Sequence, residues 1–92
     1  MDLKKIREET DILDKELIEI ISKRFKLSKK AAEFKIKNHL PVEDKKREEE
    51  IIKDRYNKLK SNGFDDLDFT SSLFNLIMKK SKDIQNKRIS EE

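Results

Sequence analysis

Residues 3–37 read LKKIREETDILDKELIEIISKRFKLSKKAAEFKIK, and this stretch decides the fold. It is made of good helix formers, holds neither Gly nor Pro, and lacks the alternation of a strand. Alternating steps of three and four give Leu3, Ile6, Thr10, Leu13, Leu17, Ile20, Arg24, Leu27, Ala31 and Phe34. That is a heptad seam interrupted only by Thr10 and Arg24. A helix of this length is about 50 Å long at 1.5 Å per residue. A compact monomer of 92 residues has a radius of gyration of only about 12 Å. The helix must therefore project from its own domain and leave part of the seam in water. A partner chain that covers the seam removes that cost, so the pattern predicts an obligate dimer.

Outward from this stretch the chain has two breaks, marked by its only Pro and its only Gly. Pro41 disfavours helical geometry at Leu40, and Asn38 is able to close the helix before it. Ser61-Asn62-Gly63 is the second break, with Gly63 free to take a positive φ. Asp44 is placed to cap a second helix, and Asp65 or Asp66 a third. The reading is all-α: helix 1 over about 3–37, helix 2 over about 45–60 and helix 3 over about 67–88, long-short-long, in a single domain over 1–92. Beyond Arg88 the tail is expected to fray.

Charged residues make up 47% of the chain and the hydrophobic class only 34%, with no Cys and no Trp. Without cysteine there is neither a disulfide framework nor a thiolate metal site. The longest apolar run, Leu76-Ile77-Met78, is far short of the roughly 20 residues of a membrane span. No apolar segment of a signal peptide follows Asp2. The expected location is the cytoplasm, with no membrane partner. The 23 Lys plus Arg and 20 Asp plus Glu are interleaved, which suits solvated helices better than a phosphate-binding face, so nucleic acid is not an expected partner. Richness in Lys, Glu and Ile with almost no Gly also fits a protein working at high temperature.

A few polar residues sit where apolar ones are expected. Arg24 lies in the seam; it reads either as a register-setting polar residue or as an anion clamp facing a cavity. Lys35 follows eleven residues later, about 20° around the helix and about 16 Å along it, so the two cations share one face. Helix 3 carries Leu67, Thr70, Phe74, Ile77 and Met78, and the same steps lead on to Ser81 and Gln85, a hydroxyl and an amide at i, i+4. These two read either as an ordinary core edge or as site residues. Arg47 and Glu48 in the first turn of helix 2 are either a surface pair or part of the same site. His39, the single histidine, makes no metal site by itself, and no metal is expected. No nucleophile–base arrangement and no phosphate-cradling Gly loop is present, so an enzyme built on this chain works by positioning and electrostatics, without a cofactor. Arg7 and Lys35 are about 42 Å apart on a straight helix and reach one small molecule only if Arg7 comes from a partner chain.

Taken in order, Ile6-Arg7 with Asp11 and Asp14, then Arg24, Lys35, Pro41-Val42, Asp44, Arg47-Glu48, Ser81 and Gln85 resemble the all-helical chorismate mutase family. The resemblance runs from about Leu3 to Gln85. It implies an intertwined homodimer with two shared active sites. The reaction it implies is the Claisen rearrangement of chorismate to prephenate, on the way to phenylalanine and tyrosine, in a stand-alone enzyme. It further implies that Arg24 and the partner's Arg7 bind the two substrate carboxylates, with Ser81 assisting. Lys35 and Gln85 would donate to the ether oxygen. Glu48 would accept from the ring hydroxyl, helped by the backbone at Asp44, and Arg47 would support that region. Asp11 and Asp14 carry no ligand contact. The apolar wall positions fall on the small Ala31 and the flexible Met78. Some relatives carry Glu at the position of Gln85, which itself cannot titrate.

Two other readings compete. A non-enzymatic helical adaptor explains the seam, but gives no reason for Arg24, Lys35, Ser81 and Gln85 to interrupt apolar stripes together. An isochorismate pyruvate lyase of the same fold would share the cationic clamp, while Glu48 suits a hydroxyl opposite the enolpyruvyl ether. A chain of 92 residues is expected to hold no separate regulatory domain.

Overall fold

A computed structural model of the chain describes residues 2–92; Met1, the first residue of the expected domain, lies outside the described residues. Three helices account for the fold: α1 (Leu3–Asn38), α2 (Lys45–Ser61) and α3 (Leu67–Ser90). Among the described residues there is no strand, and no helix is long and apolar enough to cross a membrane.

Each helix begins on an aspartate. Asp2, Asp44 and Asp66 accept from the backbone N–H of Lys5, Arg47 and Phe69 at 2.9, 3.0 and 2.9 Å, satisfying donors that have no partner inside the helix. Asp66 rather than Asp65 caps α3, because Asp65 accepts instead from the Tyr56 hydroxyl at 2.7 Å. The first two helices end in the same way. His39 (φ 55°) and Gly63 (φ 92°) take the left-handed conformation. The N–H of Leu40 reaches back to the Lys35 carbonyl, and that of Phe64 to the Leu59 carbonyl, both at 2.9 Å. The expected closing residue Asn38 is therefore still helical; the turn falls on His39, one residue later and just before Pro41 forbids more helix. α3 runs two residues beyond the expected end at Arg88. Lys87 and Arg88 in its last turn favour the negative helix end, and Arg88 pairs with Glu92 at 2.8 Å and Glu33 at 3.7 Å.

α3 is the central element, with α1 and α2 both packed on it. α1 meets it with its C-terminal half, through a face built on Ile21, Phe25, Ser28, Ala32 and Ile36 rather than on the heptad seam. The buried residues of this helix are small ones, Ser28 (5% exposed) and Ala32 (0%). Seam residues Leu3, Ile6, Leu13, Leu17, Ile20, Leu27 and Phe34 are all exposed, and every described residue up to Ile20 is open to solvent. The radius of gyration is 16.4 Å and the long axis 54 Å, as the length of α1 requires. Ala32, Ile51 and Met78 are the only buried apolar side chains among the described residues.

Candidate active site

Where α1, the start of α2 and the second half of α3 converge, they form an open cavity of about 130 Å³. α1 contributes Arg24 and Lys35, and the connection into α2 contributes Val42 and Asp44. From α2 come Arg47, Glu48 and Ile51; from α3, Met78, Ser81, Lys82 and Gln85. Eight of the residues singled out from the sequence thus meet at one place: Arg24, Lys35, Asp44, Arg47, Glu48, Met78, Ser81 and Gln85. Two do not. Ala31 is half-buried on α1 but outside the cavity lining, and Arg7 lies exposed near the far end of the same helix.

Hydrogen bonds order the polar groups. Lys35 Nζ donates to the Val42 carbonyl at 3.0 Å and to Gln85 Oε1 at 2.8 Å. The Gln85 amide Nε2 donates to Ser81 Oγ at 3.2 Å. Ser81 Oγ lies 2.6 Å from Ser28 Oγ, and the Ser28 hydroxyl also reaches the Arg24 carbonyl at 3.3 Å. The ammonium fixes which way the amide faces: its oxygen turns to Lys35 and its nitrogen to Ser81. An ammonium carries three hydrogens and a primary amide two, so Lys35 and Gln85 each keep one hydrogen uncommitted. Gln85 is itself 5% exposed, and no buried side-chain polar atom among the described residues lacks a partner.

The charges do not cancel. Four cations, Arg24, Lys35, Arg47 and Lys82, line the cavity with two carboxylates, Asp44 and Glu48, a formal excess of two positive charges. Burial, then the neighbouring Arg55 and Arg47 charges, hold the Arg24 guanidinium below its ordinary value. Such a site is electrostatically satisfied by a small dianion. Glu48 does not pair with its neighbour Arg47; its counter-ion is Lys82, at 3.3 Å.

Three contributors escaped the sequence reading. Lys82 stands four residues after Met78 on the stripe that leads to Gln85, a signal hidden by the abundance of lysine. Ser28 stands four residues after Arg24, off the heptad seam. Arg55 lies two helical steps of four beyond Arg47 on the face of Ile51. A larger groove of about 640 Å³ opens between α2 and α3. Its charged residues, Glu43, Glu48 and Glu49 with Lys45 and Lys53, include no guanidinium and leave a formal excess of one negative charge, so the smaller cavity is the one organised for an anion.

Residues 6–86 match the family model described as chorismate mutase type II. The chain is 34% identical over 89 residues to a bifunctional chorismate mutase/prephenate dehydratase of Buchnera aphidicola subsp. Schizaphis graminum, covering 97% of this chain and 23% of that protein. It is 37% identical over 83 residues to the protein of the same name from Buchnera aphidicola subsp. Baizongia pistaciae, covering 90% of this chain and 22% of that one. A bifunctional chorismate mutase/prephenate dehydratase of Aquifex aeolicus is 39% identical over 51 residues, 55% of this chain and 14% of its own length. The chain therefore spans less than a quarter of the length of these curated relatives.

Proposed function

The chain belongs to the type II chorismate mutase family, and on that premise we propose that it rearranges chorismate to prephenate, by itself, in a homodimer whose two sites each draw on both subunits. The observation that carries the reading is the cavity itself. Eight residues chosen from the sequence meet there, around an excess of positive charge and two uncommitted hydrogens on Lys35 and Gln85.

The rearrangement is unimolecular and pericyclic, so no proton has to move. Two things are open to catalysis: population of the compact, chair-like conformer, and the charge that grows on the ether oxygen as the C–O bond breaks. Arg24 and the partner's Arg7 clamp the carboxylates and order the enolpyruvyl arm, with the Ser81 hydroxyl beside them. Lys35 and Gln85 turn their free hydrogens to the ether oxygen, where they count for more in the transition state than in the ground state. Glu48 accepts from the ring hydroxyl near the Asp44 backbone, Arg47 supports that region, and Met78 faces the ring.

Two features of one protomer support the dimer. About 27 Å of α1 stands free with its seam exposed. The cavity, at about 130 Å³, is well below the roughly 300–1,000 Å³ of ordinary small-molecule sites, as fits a site that lacks one wall. A partner's first helix, bearing Arg7, supplies both the cover and the wall.

The test is the loss of chorismate absorbance with wild type and with Lys35→Ala. The proposal requires prephenate from the wild type and its near-abolition in the variant. Release of pyruvate from isochorismate instead would make the chain a lyase, and no turnover of either compound would leave the adaptor reading.

A further inference from the structure

Lys82 lines the cavity, yet the mutase reading gives it no task. It stands on the face of α3 that carries Met78, Ser81 and Gln85. Its ammonium reaches across to α2, 3.3 Å from each oxygen of Glu48, and approaches Glu43 Oε1 at 3.6 Å. All three partners are at least partly exposed, Lys82 at 29%, Glu48 at 26% and Glu43 at 55%, so this pair lies at the mouth of the site rather than in its depth.

The position solves an electrostatic conflict. A ring hydroxyl is well recognised by a carboxylate, but a carboxylate adds a third negative charge where two others must bind, and like charges at this range repel. Arg47 is not close enough to Glu48 to form an ion pair with it, and Arg24 and Lys35 on α1 are the groups proposed to bind substrate. Asp44 and Glu43 add further negative charge on the α2 side. Lys82 is thus the cation positioned to neutralise Glu48 without being drawn away by the substrate.

We propose that Lys82 is a positioning and specificity-determining residue: it holds the Glu48 carboxylate as a neutral pair that accepts the ring hydroxyl without repelling the dianion. The proposal rests on the mutase reading and on the acceptor role of Glu48 within it. The hydrogen bond to Glu48 raises the Lys82 ammonium above its ordinary value, so Lys82 stays charged throughout neutral pH. The hydroxyl contact is made alike in ground and transition state, so its loss falls on KM and leaves kcat nearly unchanged.

The experiment compares Lys82→Met, Lys82→Arg, Glu48→Gln and the double variant Lys82→Met/Glu48→Gln on chorismate and on its analogue lacking the ring hydroxyl. Circular dichroism verifies that each variant is folded. Lys82→Met should raise KM for chorismate about tenfold, the size of one charge-assisted hydrogen bond, with kcat within about twofold. Lys82→Arg should recover most of that loss. The preference for chorismate over the deoxy analogue should fall in Lys82→Met, and Lys82→Met should add almost nothing once Glu48 is Gln. Equal losses on both substrates, or the same loss in the Glu48→Gln background, would mean a merely structural lysine and overturn the proposal. Full activity of Lys82→Met overturns it too while leaving the mutase reading intact. Wild type inactive on chorismate overturns both.

Discussion

Lys35 holds two hydrogen bonds within the protein and has one hydrogen to spare, so its removal costs the site both order and charge. Lys35→Ala should lower kcat by at least 10²–10³-fold, as loss of a preorganised donor to a developing oxyanion does. Single-turnover chorismate decay reads the effect directly. A second residue-scale prediction concerns Asp54, whose carboxylate lies 2.6 Å from Arg55 Nη1 and 3.1 Å from Lys58 Nζ. Hydrogen bonds from Arg55 and then Lys58 hold it below the usual carboxylate range. A depressed folded value means the stabilisation is present above the unfolded value and is lost as pH falls through the folded one. Asp54→Asn should therefore lower Tm slightly at neutral pH, by the small worth of an exposed pair, and leave it unchanged in strong acid, so that the decline of Tm below about pH 4 is shallower. At this scale the sequence was readable where a polar residue broke an apolar stripe: Arg24, Ser81 and Gln85 stood out for that reason and meet at one cavity. Lys82 did not stand out, because a lysine on a charged helix is ordinarily solvated and only its carboxylate partner across the fold makes it distinctive.

At the scale of elements, helix identity and number were legible because the chain holds one Pro and one Gly, each at a break, between long runs of helix formers. Helix ends were less so, since they depend on which residue accepts the left-handed turn. His39 does so at the end of α1, where a polar side chain tolerates it, and Gly63 at the end of α2. Nothing lies within 4 Å of a Cβ added at Gly63, so Gly63→Ala meets no clash and its whole cost is backbone strain. That substitution should destabilise by about 1 kcal/mol, read from chemical denaturation with an unchanged m-value. The packing face of α1 was the larger surprise. The heptad seam is the stronger periodic signal, but the chain packs α1 on α3 through Ser28 and Ala32, whose small size permits close approach and whose weak hydrophobicity hides it from a pattern search.

For the whole molecule, the seam that α1 leaves exposed is its largest unmet demand. Burying Leu3, Ile6, Leu13, Leu17, Ile20, Leu27 and Phe34 is worth on the order of 10 kcal/mol before the cost of association. The three apolar side chains buried among the described residues of one protomer supply little by comparison. The proposed remedy is a second copy whose first helix covers the seam and brings its Arg7 within reach of Lys35, which lies about 42 Å along the helix from the Arg7 of its own chain. The deciding measurement mixes Arg7→Ala with Lys35→Ala, each nearly inactive alone, under conditions in which subunit exchange is verified by mass. In a mixed dimer one site then carries both the intact Lys35 and the partner's intact Arg7. Equal mixing makes half the dimers mixed, so chorismate turnover should return to about a quarter of the wild-type rate. Complete exchange without any return of turnover would contradict a site shared between subunits.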